Sequence, residues 1–202
     1  MAKGTNDLIL RDRMQFTPTA AGNQSTVYGR FDLSDFVNTL DRKGLKIKEV
    51  NLMLRDSTAG NTGNFSFSQG DLLNASEFDM SRSQLKVYAT TRAYESASDV
   101  GIASPDVLHI ETWTTYLAPS VVQTTPPGTA AGGLWADHYV FPVENLHPDG
   151  FPVVTDLLIG VASDTWSLVG GKTIELDVMI IAEPITITQK QLTEMLVQGQ
   201  DQ

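Results

Sequence analysis

Residues Gly44–Asp56 read GLKIKEVNLMLRD, and the apolar pattern of this stretch decides the class of fold. From residue 50 onward, apolar side chains alternate with others, as in a β-strand that buries one face; the apolar set is Val50, Leu52 and Leu54. Ile47 is out of phase with that set, and Met53 makes the opposite face partly apolar. The stretch therefore predicts a long strand with apolar side chains on both faces.

Similar short patterns, separated by turn residues, fill most of the chain. In Thr173–Ala182 the apolar residues alternate with Glu175, Asp177 and Met179, which predicts a half-buried strand. The predicted strands are Leu8–Phe16, Ser25–Leu33, Lys46–Arg55, Asn64–Ser68, Leu85–Arg92, Val107–Leu117, Trp135–Phe141, Val153–Ala162 and Thr173–Ala182. This many strands and so little helix favour an all-β fold, an antiparallel β-sandwich or barrel, over any α/β fold.

Helix is predicted at two places. Ser34–Leu40, between two strands, reads as one helical turn with Ser34 as its N-cap. Near the C-terminus, Thr188 and Gln191 have the spacing of a capping box, and an apolar stripe follows that consists of Leu192, Met195 and Leu196. The tail therefore predicts a short amphipathic C-terminal helix.

A chain of 202 residues has the size of one large β-domain. We expect three parts: an N-terminal arm over residues 1–24 that holds a first strand, a single β-sandwich domain over 25–183, and a C-terminal tail over 184–202. The connections 57–83 and 118–134 are long. Loops of such length in a compact domain usually bind something or contact a neighbour.

The composition excludes several classes of protein. There are no cysteines, which removes disulfides, thiolate catalysis and cysteine–zinc sites. The chain has no run of 18 apolar residues, and its first 13 residues lack the apolar core of a secretory signal. We therefore expect a soluble chain without a transmembrane segment, synthesised in the cytoplasm.

Charge is distributed unevenly along the chain. Residues 1–92 hold 12 Lys and Arg against 10 Asp and Glu, whereas residues 93–202 hold 2 against 14, and the net charge is −10. A field of this sign repels phosphate, and the N-terminus is not a basic arm, so direct nucleic-acid binding is not expected. The asymmetry could attract one part of a subunit to another part of its neighbour, or it could be a solvated acidic surface.

Apolar side chains on the outer faces of strands need a cover, because a two-layer sandwich buries only the inner face of each sheet. Such outer positions are Leu158, Gly160, Ala162, Met179 and Ile181. Loops or the terminal helix of the same chain could cover them. Sister subunits could do so instead, and the predicted subunit interface would then contain Met179, Ile181, Leu192, Met195 and Leu196.

Patterns that carry catalysis or bind metal are not found in the sequence. The three histidines, His109, His138 and His147, lack a His-x-x-x-His spacing, and no predicted strand places two of them on one face. Asp137 and His138 are adjacent, so in a strand they point to opposite faces. No Gly-x-Ser-x-Gly, P-loop or dinucleotide fingerprint is present. We therefore interpret the histidines as structural and expect no enzyme, metal site or cofactor.

Aromatic residues offer an alternative function. Glu111 and Trp113 share one face of a predicted strand; they could line a sugar-binding cleft, or they could be a surface acid beside a core tryptophan. In a β-sandwich module that binds glycans or receptors, Trp113, Trp135 or Tyr139 would stack on the ligand.

Two stretches carry a resemblance to a known family. YGRFDLSDFVNTLDRKGLKIKEVNLMLRD, Tyr28–Asp56, reads as a strand, a short helical turn and a long core strand, and TIELDVMIIAEP, Thr173–Pro184, reads as a closing strand. In this layout the chain resembles the single jelly-roll capsid proteins of tailless icosahedral viruses of bacteria and archaea. The resemblance extends from about Ser25 to Ala182.

The resemblance implies a jelly-roll sandwich of two four-stranded sheets and a structural role in the virion. It implies self-assembly through lateral contacts between identical subunits, with or without a second capsid protein, and a place next to an internal viral membrane. The missing basic arm sets the chain apart from shells that bind RNA directly.

Overall fold

The computed structural model of the chain describes residues 6–17, 19, 24–56, 63, 81–118, 133–164, 173–191 and 193. Within these residues, nine strands form two antiparallel sheets. The strands are β1 (Leu8–Phe16), β2 (Ser25–Phe31), β3 (Lys43–Asp56), β4 (Ser81–Thr90), β5 (Val107–Ala118), β6 (Gly133–Phe141), β7 (Phe151–Val153), β8 (Leu157–Asp164) and β9 (Ile174–Thr186). A 3-10 turn, Ala97–Asp99, precedes β5, and one α-helical turn, α1 (Val143–Leu146), follows β6.

The strand order is that of a jelly roll. The four-stranded sheet has the order β1-β9-β3-β7, and the five-stranded sheet has the order β2-β8-β4-β5-β6. Apart from β6, the first strand therefore lies beside the last and the second beside the eighth, which is the double Greek key of a jelly roll. The prediction of an all-β, jelly-roll-like sandwich is confirmed. The two four-stranded sheets that the resemblance implies are wrong, because β6 adds a fifth strand to one of the described sheets.

A β-bulge in β3 explains the two apolar phases of the stretch quoted first. The pairing of β3 with β9 slips between Ile47 and Glu49, which leaves Lys48 as an extra residue. The slip brings Ile47 to the core face, where it is buried together with Leu45, Val50 and Leu54. The interpretation that Ile47 lies on the opposite face is therefore wrong, and Met53 is the exposed apolar residue there.

The core lies between the two sheets and is built from the alternating residues of the central strands. In β9 the buried set is the one predicted from the sequence: Ile174, Leu176, Val178 and Ile180. From the other sheet, β4 contributes Leu85 and Val87, and β8 contributes Leu157 and Ile159. Because buried residues alternate with the others along each strand, the side chains between them point away from the core.

Residues of the same chain cover part of the outer face of the five-stranded sheet. Tyr94 and Val100, from the connection between β4 and β5, pack there in a second apolar cluster that also contains Tyr28, Tyr88, Val107 and Ile110. The ring of Tyr88 lies directly over Gly160: a Cβ at Gly160 would be 2.3 Å from its Cζ. On β8, the cover is therefore supplied by the chain itself.

The helical turn predicted over Ser34–Leu40 is shorter than predicted: residues 34–36 form a hydrogen-bonded turn, and it does not continue as a regular helix. The N–H groups of Phe36 and Val37 both donate to the carbonyl of Leu33. The N–H of Ser34 donates to the carboxylate of Asp32 at 2.9 Å, so Asp32, not Ser34, is the capping residue. The hydrogen bonds from Ser34 hold the pKa of Asp32 below its ordinary value.

The single strand predicted over Val153–Ala162 is in fact two strands in different sheets. β7 pairs with β3, whereas β8 pairs with β2 and β4. Asp156 fixes the corner between them, because its carboxylate accepts hydrogen bonds from the N–H of Leu33 at 2.8 Å and from the guanidinium of Arg30.

The first strand expected in the N-terminal arm is confirmed with the predicted bounds. β1 pairs with β9 along its whole length, so residues 8–16 belong to the four-stranded sheet. The predicted strand Asn64–Ser68 lies outside the described residues.

The predicted capping box is also confirmed. The N–H of Gln191 donates to Oγ1 of Thr188 at 3.3 Å, and the N–H of Thr188 donates to Oε1 of Gln191 at 3.1 Å. Helical residues follow from position 189. No helix among the described residues is long and apolar enough to cross a membrane.

Candidate functional site: sheet edges and a His–Glu–His cluster

The predicted interface residues are found in different environments. Leu192, Met195 and Leu196 lie outside the described residues, so their part in an interface stays a prediction. Met179 is half-buried on the outer face of β9. Ile181 has the same outward register but is only 3% exposed within one chain, so it offers almost no surface to a neighbour.

The aromatic residues of the alternative reading do not form one platform. Trp113 is 5% exposed and belongs to the main core. Tyr139 is 59% exposed and lies on the opposite face of the sheet, since it pairs with Thr112, the strand neighbour of Trp113. Trp135 is in β6, opposite Tyr116, and its side chain lies outside the described part. Trp113 and Tyr139 therefore cannot stack on the same sugar.

Two histidines and one glutamate meet on the inner face of β5 and β6. Nε2 of His109 lies 2.9 Å from Oε1 of Glu111, and Nε2 of His138 lies 3.1 Å from Oε2 of the same carboxylate. The imidazole of His138 also stacks on Trp113, with ring centroids 4.6 Å apart and an angle of 6°. The cluster is therefore a carboxylate bridged to two imidazoles at the edge of the core.

Burial differs strongly within this cluster. The side chain of His109 is 2% exposed and that of Glu111 is 8% exposed, whereas His138 is 46% exposed. Each carboxylate oxygen can accept one N–H, provided that both imidazoles carry a proton on Nε2. The second ring nitrogen of His109, Nδ1, is buried and makes no hydrogen bond. The interpretation of Glu111 as a surface acid is therefore wrong.

The cluster serves structure better than chemistry. Both oxygens of Glu111 are occupied by the histidines, and no group of three His, Cys, Asp or Glu in the described chain is arranged to hold a metal ion. Its members come from two strands joined by a long connection, and only the register that sets Trp113 opposite His138 brings them together. The sequence analysis compared histidines only within single strands, where no two share a face. It did not consider that histidines of two neighbouring strands can lie on the same face of a sheet.

β6 forms an exposed edge of the five-stranded sheet. Among the described strands it pairs with β5 alone. Its inner face is poorly covered, since Val140, opposite the buried Glu111, is exposed. Tyr139 and Phe141, on the outer face, are exposed as well. An edge strand with open backbone groups and three consecutive exposed apolar side chains is a pairing surface unless it is covered.

The opposite side of the sandwich ends in β1 and β2, the outer strands of the two sheets. Ile9 and Val27 are exposed apolar residues there. Arg13 forms an ion pair with Asp177, 2.6 Å from Nε to Oδ1, which together with Arg55 lowers the pKa of that carboxylate. Arg11, also on β1, is exposed and makes no ion pair with a described residue.

No protein-family model matches this chain, and no curated protein sequence matches it significantly. The function therefore has to be inferred from the geometry and chemistry of particular residues, since a fold by itself does not specify a function.

Among the described residues, a shallow polar depression on the outer face of the five-stranded sheet is a further candidate for a ligand site. It has a volume of about 230 Å³ and is lined by Lys86, Gln84, Thr112, Thr114 and Ser98 among others. The ammonium of Lys86 donates to the carbonyls of Ala97 and Val100, each at 2.8 Å, and its partial burial lowers its pKa. Lys86 already anchors the 3-10 turn, and Asp164 is the other charged residue among those that line the depression.

Proposed function

We propose that this protein is a structural subunit that self-assembles through lateral contacts, and that it is a capsid protein of a tailless icosahedral virus of bacteria or archaea. The observation that carries the proposal is a jelly-roll sandwich whose five-stranded sheet ends in the exposed apolar edge β6. The jelly roll supports a viral shell by analogy only, because lectins and cupins share the architecture. The exposed edge supports assembly directly, because isolated subunits rarely leave such an edge open.

The free energy of assembly is expected to come from many weak contacts between subunits. A stable interface removes about 1,600 Å² from water in total, or about 800 Å² for each partner. At roughly 25 cal/mol per Å² of apolar area the gross gain is large, but association costs reduce it to a weak or moderate net affinity. In a closed shell each subunit makes several such contacts at once, and avidity then stabilises the whole.

On this proposal the protein works in the virion after synthesis in the host cytoplasm. Its partners are further copies of itself, with or without a second capsid protein, and an internal membrane would lie beneath the shell. Residues 93–202 carry 14 Asp and Glu against 2 Lys and Arg, which argues against direct contact with the genome. No catalytic step and no cofactor belong to this function.

The test is the mass of the purified protein over a range of concentration and salt, measured by light scattering, with negative-stain images of the same samples. Rings, pentamers, hexamers or shells are the expected result. A strict monomer at the highest concentration would contradict self-assembly. Glycan binding by that monomer would then favour the alternative, a β-sandwich binding module.

The C-terminal tail allows a second test of the same proposal. Leu192 and Leu196 follow the capping box at Thr188, and helix-in-groove contacts commonly use such an apolar stripe. Changing both to Asp is expected to leave the fold intact and to reduce assembly. Loss of the folded state in this variant would instead assign the stripe to the core of its own chain.

A further inference from the structure

We draw no further inference here: the strongest candidate, the edge strand β6 with the exposed side chains of Tyr139, Val140 and Phe141, carries none because nothing in the described part of the chain shows what covers it.

Discussion

At the scale of single residues, the outer cluster of the five-stranded sheet depends on the absence of one side chain. Gly160 lies beneath the ring of Tyr88, whose hydroxyl is 2.5 Å from that of Tyr28. Burial and this hydrogen bond raise the pKa of Tyr88, which keeps its phenol neutral. The cluster closes the face that a neighbouring subunit would otherwise have to cover.

Gly160→Ala should therefore destabilise the protein by about 1–3 kcal/mol, the usual cost of overpacking. The added Cβ would meet Tyr88 Cζ at 2.3 Å and force the ring away from Tyr28. Urea unfolding followed by circular dichroism measures the change in the free energy of unfolding. Gly101→Ala is the matched control, because a Cβ at Gly101 meets nothing within 4 Å. Equal stability of the two variants would contradict the close approach of Tyr88 to β8.

The His–Glu–His cluster allows a double-mutant cycle. Glu111→Leu leaves the buried Nε2 of His109 without its acceptor, and His109→Leu leaves one oxygen of Glu111 unpaired. Each single change is expected to cost about 1–3 kcal/mol, the penalty for an unsatisfied buried polar group. The double variant should cost less than the sum of the two, by about 0.5–3 kcal/mol.

The same urea titration, applied to all members of the cycle, gives the coupling energy. Glu144→Leu is the control, because this acid makes no ion pair with a described residue, and its effect should stay within about 0.5 kcal/mol. Strict additivity of the two core substitutions would show that Glu111 does not stabilise His109.

At the scale of elements, β3 shows how one extra residue sets the faces of a long strand. The bulge at Lys48 brings Leu45 and Ile47 to the same side as Val50 and Leu54. Lys48 itself points outward, where its ammonium lies 2.7 Å from Asp7 and 2.8 Å from Glu183, and these carboxylates raise its pKa. The bulge therefore keeps one face of β3 in the core along its length, and two ion pairs hold the bulged residue in place.

Deletion of Lys48 should unfold the protein or come close to it. Without the extra residue, the two parts of β3 no longer bury the same face. Either Leu45 and Ile47 or Val50 and Leu54 must then leave the core. Exposure of two large aliphatic side chains costs about 3–6 kcal/mol, which approaches the total stability of an ordinary domain. Lys48→Ala keeps the bulge residue and loses only the ion pairs, so its thermal midpoint should fall much less. Similar midpoints for the deletion and the substitution would contradict this account of the bulge.

Local patterns predicted the elements well where one principle governed them. β1 has the predicted bounds, and the alternation in β9 gave its buried face, because period-two burial is a local property of a strand. The bulge at Lys48 and the corner at Asp156 were missed, since both depend on partners distant in sequence: β9 for the bulge, and Leu33 with Arg30 for the corner. Tertiary contacts override local patterns at such points.

At the scale of the whole molecule, the candidate surfaces arise from topology and not from motifs. β6 is an additional strand at the end of one sheet, and this position alone leaves Tyr139, Val140 and Phe141 exposed. The uneven charge could be seen in the sequence. The strand order that sets β9 and β8, from the acidic half of the chain, beside β1 and β2 could not, because strand order is not a local property. The His–Glu–His cluster could likewise not be predicted without the register of β5 with β6.

The strand order also makes the two ends of the chain unequal. β9 lies between β1 and β3 in the four-stranded sheet and carries a row of fully buried residues, whereas β1 lies at its edge. Removal of β9 leaves two strands without a common neighbour. Removal of β1 deletes an edge strand, including the buried Phe16, and leaves the pairing of β3 with β9 in place.

Deletion of residues 1–16 should therefore give a folded protein with a lower thermal midpoint, and deletion of residues 173–202 should give an unfolded one. Circular dichroism and heat unfolding of both proteins make the comparison, with the full chain as reference. Folding of the chain without β9 would contradict the central place of that strand in the sandwich.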